Sequence, residues 1–97
     1  MIIVHDVFVC KPGNASKMAK LFKETMAGNK DVVNIMTDMT GRYNRVVMVS
    51  KFADLTAYQK AAEEYKNPTK EMKAAMEKMK NYHEMYQEGF REIYQVW

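Results

Sequence analysis

The chain carries one cysteine, Cys10, in 97 residues. A single thiol forms no intrachain disulfide, so a disulfide-stapled secreted scaffold is excluded. There are only two histidines, His5 and His83. With Cys10 they lack the close spacing of a zinc-type ligand set, and no metal site is expected. Four glycines and two prolines make no phosphate-cradling loop, no dinucleotide fingerprint and no interdomain linker. No apolar run approaches the roughly 18 residues of a membrane helix. The apolar start is broken by His5 and Asp6 and has no basic flank, so no secretory leader is read there. Fifteen basic residues against twelve acidic ones give a net charge of +3. That excess is too small and too dispersed for a nucleic-acid surface. A cytoplasmic protein without nucleic-acid or membrane partners is the expectation.

What is present fits one globular domain over residues 1–97. Hydrophobic residues make up 47% and charged residues 28%, an ordinary folded balance. Ile2 to Cys10 is β-branched and aromatic and is stopped by Pro12-Gly13, which predicts a strand. Ile2, Val4 and Phe8 share one face, and Ile3, Val7 and Val9 the other. Asn14 is placed to cap a helix whose apolar stripe is Met18, Leu21, Phe22 and Met26, with Gly28 as its end. Val32–Met39 and Tyr43–Phe52 read as an antiparallel hairpin around Thr40-Gly41-Arg42. Val46 and Met48 oppose Val47 and Val49. Asp54 caps a further helix carrying Leu55, Tyr58, Ala62 and Tyr65. Asn67-Pro68 interrupts it and restarts a helix with Met72, Met76, Met79, His83 and Tyr86 on one side. Gly89 ends that helix, and Phe90–Trp97 is the last strand.

The order is β-α-β-β-α-β, the ferredoxin-like α+β pattern. Helices cover one face of such a sheet. Strands that are apolar on both faces need a second cover. A twofold copy of the same sheet supplies it, which predicts a homodimer.

Several segments resemble the NIPSNAP-like family. They are Lys11-Pro12-Gly13 before a lysine-rich helix, and the hairpin Thr40-Gly41-Arg42-Tyr43-Asn44-Arg45-Val46-Val47 running into Ser50-Lys51-Phe52-Ala53-Asp54-Leu55-Thr56-Ala57-Tyr58. The resemblance spans nearly the whole chain. It implies a dimeric α+β barrel, two protomers packed sheet to sheet, with a cleft between sheet and helices in each. Relatives on that fold include cofactor-independent monooxygenases, haem-degrading oxygenases and barrels of no known activity, so the fold does not fix the chemistry. The family pattern has an arginine two residues before an aromatic in the first strand. This chain has Asp6 before Phe8.

Polar groups on apolar surfaces are the candidate ligand-binding residues: His5, Asp6, Tyr43, Arg45, His83 and Tyr94. His83, if its stripe faces the sheet, is a base or a haem ligand; otherwise it is a hydrogen-bonded histidine at the stripe's edge. Haem-degrading relatives also place an asparagine and a tryptophan in the pocket. The first strand has no asparagine, and the single tryptophan is Trp97, so no cofactor is expected. His5 and Asp6 are adjacent on a strand and point to opposite faces, so they form no dyad. Asp6 on an apolar face needs a cation, Arg45 or Arg91. Met72, Met76 and Met79 either line a pocket or fill the core. Tyr58, Tyr65, Tyr82, Tyr86 and Tyr94 are placed to offer hydroxyls to the cleft. The expected function is binding of a hydrophobic or aromatic small molecule. The alternatives are a cofactor-independent monooxygenase acting on a phenolic substrate, and an interaction module with no ligand.

Overall fold

A computed structural model describes residues 1–97. Four strands and three α-helices follow in the order β1 (Ile2–Cys10), α1 (Ala15–Thr25), β2 (Val32–Thr37), β3 (Arg45–Phe52), α2 (Leu55–Glu64), α3 (Lys70–Lys78) and β4 (Tyr86–Gln95), with a short 3-10 turn at Tyr82–Glu84 before β4. The sheet order is β2-β3-β1-β4, and every neighbouring pair is antiparallel. This is the ferredoxin-like α+β arrangement that the element order predicts. No helix is long and apolar enough to cross a membrane.

The alternation along β1 sorts the sheet's two faces. Val4, Asp6 and Phe8 point toward the helices, with Met48, Ser50 and Phe52 from β3 beside them. Ile3, His5, Val7 and Val9 point the other way, where no helix lies. The core sits at one end of the helix side. Cys10, Met18, Phe22 and Val46 are buried there, and Phe8, Met79, Tyr82 and Tyr86 pack around them. The Phe8 ring lies 5.2 Å from Phe22 and 5.0 Å from Tyr86, both at steep tilts. Such pairs add to the roughly 1.5–3 kcal/mol that burying one large apolar side chain contributes.

Helix starts follow local chemistry, with one correction. Asp54 caps α2 by accepting from the Ala57 N–H at 2.9 Å. Asn14 stands at the start of α1 as predicted, but its side chain makes no capping bond. α3 is capped by Thr69, not Asn67: the Thr69 hydroxyl accepts from the Met72 N–H at 3.2 Å. Pro68 therefore lies before the cap.

The helix ends differ more. α1 stops at Thr25, before Gly28. α3 stops at Lys78, ten residues short of the predicted end, and Gly89 lies inside β4. Tyr82, His83 and Tyr86 continue the helical spacing by coincidence. The ladder with β1 overrides it, because Phe8 to Cys10 would otherwise face no partner on that edge. Met85 accepts the Lys11 N–H at 2.9 Å, and Tyr86 pairs with Cys10 across a bulge. Gly89 pairs with Phe8. A Cβ there would meet the Tyr86 ring at 3.2 Å and the Phe8 ring at 3.6 Å. The glycine makes room for the aromatic cluster and does not close a helix.

The hairpin between β2 and β3 is longer than predicted. Gly41, Tyr43 and Asn44 have φ of 110°, 68° and 58°. Left-handed backbone is not strand, so β3 begins at Arg45 rather than Tyr43. Asp38 closes the loop: its carboxylate accepts from the Arg45 backbone N–H and from Arg45 Nε, each at 3.1 Å.

Candidate cleft between sheet and helices

α2 has no fully buried residue, and neither has α3. The two helices span the sheet without pressing onto it, and a cleft of about 530 Å³ remains beneath them. Small-molecule sites run from roughly 300 to 1,000 Å³. Of the 20 residues lining it, 14 are hydrophobic. The floor is Val4, Phe8, Met48 and Phe52 on β1 and β3; the roof is Tyr58 of α2 and Tyr65 just past its end, with Met76 of α3 and Met79 just past its end. Met76 and Met79 thus line a cavity, and Met79 also packs on the core. Both expectations for the methionine stripe hold in part.

One polar group stands out on this apolar floor. Asp6 on β1 faces Arg91 on β4 as its cross-strand partner. Arg91 Nε donates to Asp6 Oδ1 at 2.5 Å, and the Asp6 side chain keeps only 15% of its exposure. Arg91 is the cation that Asp6 needs. The hydrogen bond to Asp6 is the main cause that raises the Arg91 pKa above its ordinary value. A second donor, Arg91 Nη1, reaches the Tyr58 hydroxyl at 2.5 Å. The Tyr58 ring is held in turn by a near-parallel stack on Phe52, with centroids 5.3 Å apart. Sheet and α2 are therefore joined by one chain, Asp6–Arg91–Tyr58.

Tyr82 lies deeper, against Phe8, Phe22 and Tyr86. Burial is the largest influence on its phenol, followed by Tyr86 and the negative charge of Asp6, and all raise its pKa. Tyr82 is therefore a neutral hydrogen-bonding group at neutral pH.

Of the six candidate residues, only Asp6 lines this cleft. His5 and Tyr94 lie on the sheet's other face, where their rings meet edge to face at 5.2 Å. Arg45 is bound to Asp38 at the hairpin. Tyr43 is 76% exposed at the loop tip. His83 lies on the 3-10 turn, exposed, with its ring 6.4 Å from Tyr82. A histidine outside the cleft ligates nothing bound within it, so the haem reading loses its residue. The cause is the early end of α3. No group of three or more His, Cys, Asp or Glu side chains is arranged to hold a metal ion.

The candidate set lacks the cleft's other polar residues, Tyr58, Tyr65, Tyr82 and Arg91 around Asp6, and Asn29, Asp31, Ser50 and Lys80 elsewhere on the lining. Tyr58 and Tyr82 do belong to the tyrosines placed to offer hydroxyls. Arg91 was visible only as a possible partner for Asp6. The signal was the buried-carboxylate rule, and the cross-strand register resolved it.

No protein-family model matches the chain, and no curated protein matches it in sequence. Solved structures do match it in shape. An uncharacterized NIPSNAP-like domain protein from Burkholderia xenovorans superposes with a TM-score of 0.77 at 15% identity, over 99% of this chain and 84% of the other. A NIPSNAP family protein from Agrobacterium tumefaciens gives 0.76 at 12% identity, over 98% and 84%. An antibiotic biosynthesis monooxygenase gives 0.61 at 14% identity, over 99% and 98%. The chain has the fold of the NIPSNAP-domain proteins, as its hairpin and helix-start segments imply.

Proposed function

We propose that this chain is a NIPSNAP-like protein of the cytoplasm that works as a homodimer and binds a hydrophobic or aromatic small molecule in the cleft between sheet and helices. One observation carries the reading: a cavity of about 530 Å³ with 14 hydrophobic residues among 20, crossed by a single compensated ion pair, Asp6–Arg91. Apolar walls with a few placed polar groups are the ordinary build of a small-molecule site. The uncovered sheet face supports the dimer. Phe90, Tyr94 and Met36 are 37%, 47% and 41% exposed there, beside Ile3, Val7 and Val49. Native mass spectrometry of the purified protein, set against its denatured mass, tests both parts. A dimer with extra non-covalent mass supports them. A monomer removes the assembly, and a protein that shows no bound mass and no thermal shift with apolar aromatic probes removes the ligand.

A second reading is a cofactor-independent oxygenase acting on a phenolic substrate. The shape shared with the antibiotic biosynthesis monooxygenase favours it. It requires oxygen consumption in the presence of a phenol. Because His83 lies outside the cleft, that activity would survive His83→Ala and depend on Asp6 or Tyr58.

A further inference from the structure

The Tyr58 hydroxyl is committed on one side only. Its oxygen accepts from Arg91 Nη1. Its own hydrogen has no acceptor among the side-chain hydrogen bonds of the protein, and the residue lines the cleft. A phenol whose oxygen is held by a guanidinium has its O–H polarised and becomes a better donor. Stacking on Phe52 fixes the ring. The Asp6 bond fixes Arg91. The cleft thus presents a held donor on a largely apolar wall, whose other charged residues are Asp31 and Lys80, the latter paired with Glu77. The charges next to it cancel, since Asp6 and Arg91 are paired. A full negative charge on the ligand would meet the Asp6 carboxylate nearby and gain nothing net from a cation already neutralised.

We infer that the ligand of this cleft is an uncharged apolar molecule bearing a carbonyl oxygen, and that the Tyr58 hydroxyl binds that oxygen, with Arg91 as the positioning residue and Asp6 as its anchor. The inference rests on the cleft-binding reading above and adds the chemical class. A donor that a bound ligand covers without offering an acceptor costs binding energy, so the site disfavours the same molecule without its carbonyl.

Three matched probes test it by fluorescence titration: 2-acetylnaphthalene, 2-ethylnaphthalene and 2-naphthoate. The wild-type protein is expected to bind the ketone roughly three- to tenfold more tightly than the hydrocarbon, the worth of one net hydrogen bond. The naphthoate is expected to bind more weakly than the ketone. Tyr58→Phe keeps the ring and its stack and should bring the ketone-to-hydrocarbon ratio to about one. Arg91→Lys should lower the ratio, because a lysine cannot hold Asp6 and Tyr58 together through a planar fork. A merely structural role for either residue would shift all three affinities and leave the ratio alone. Equal binding of ketone and hydrocarbon by the wild type, an unchanged ratio in Tyr58→Phe, or tightest binding of the naphthoate overturns the inference while the cleft-binding reading stands. Failure of all three probes to bind overturns both.

Discussion

Asp6 and Arg91 stand directly opposite one another across the β1–β4 ladder, with Arg91 Nε 2.5 Å from Asp6 Oδ1. The pair is asymmetric: the carboxylate is shielded, and the guanidinium keeps 55% of its exposure. Removing Arg91 leaves a shielded carboxylate without a partner. Arg91→Ala should therefore destabilise by about 1–2 kcal/mol, less than a fully buried pair because solvent screens the exposed partner. In a chain of this size that lowers Tm by several degrees. Asp6→Asn combined with Arg91→Gln should recover part of the loss. Urea unfolding checks both, and a double variant no better than the sum of the singles would show the pair to be uncoupled.

The hairpin closure predicts an acid-sensitive loop. Desolvation alone would raise the Asp38 pKa, but the hydrogen bonds from the Arg45 side chain and backbone, with the Arg45 charge, outweigh it and hold the carboxyl below its ordinary value. A depressed carboxylate contributes stability above the unfolded pKa, about 3.9. That contribution is lost as pH falls through the lower folded value. Hydrogen-exchange protection at β3, measured against the intrinsic rate at each pH, should therefore fall below about pH 4 in the wild type. Asp38→Asn should show the lower protection already at neutral pH, with no further loss on acidification.

The open sheet face predicts where assembly breaks. Phe90 points from β4 into that face opposite Val7 and is already partly exposed. Phe90→Lys should cost little in a lone protomer, while burying a lysine between two sheets is costly. Sedimentation should show a dimer for the wild type and a monomer of unchanged circular dichroism for the variant. A wild-type monomer at micromolar concentration would refute the sheet-to-sheet pairing.

Gly89 offers a sharper test of packing. Its pairing with Phe8 leaves a Cβ only 3.2 Å from the Tyr86 ring. Gly89→Val would force the Phe8–Tyr86–Tyr82 cluster to shift, and overpacking of that kind costs about 1–3 kcal/mol. Near-ultraviolet circular dichroism should weaken, since the tyrosines lose their fixed surroundings. A variant as stable as the wild type would show the cluster to be loose.

The candidate site shows how far a sequence carries. Asp6 was legible, because a carboxylate on an apolar strand face demands a cation whatever the fold. The tyrosines were legible as a stock of hydroxyls but not by face, since Tyr94 goes to the open side and Tyr58 to the cleft. His83 misled. Its spacing from Met79 and Tyr86 is helical, and only the pairing of Tyr86 with Cys10 removes it from the helix.

The sequence by itself determined the element order, the two-sided character of the sheet and the Asp54 cap of α2. These follow from local sterics, side-chain alternation and capping chemistry, which act over a few residues. The tertiary structure decided where α3 ends, which arginine meets Asp6, and that Tyr58 rather than His83 faces the cleft. Those outcomes depend on the register between β1 and β4, whose partners lie more than 75 residues apart along the chain. Hydrogen-bond satisfaction along β1 sets that register, and no local pattern encodes it.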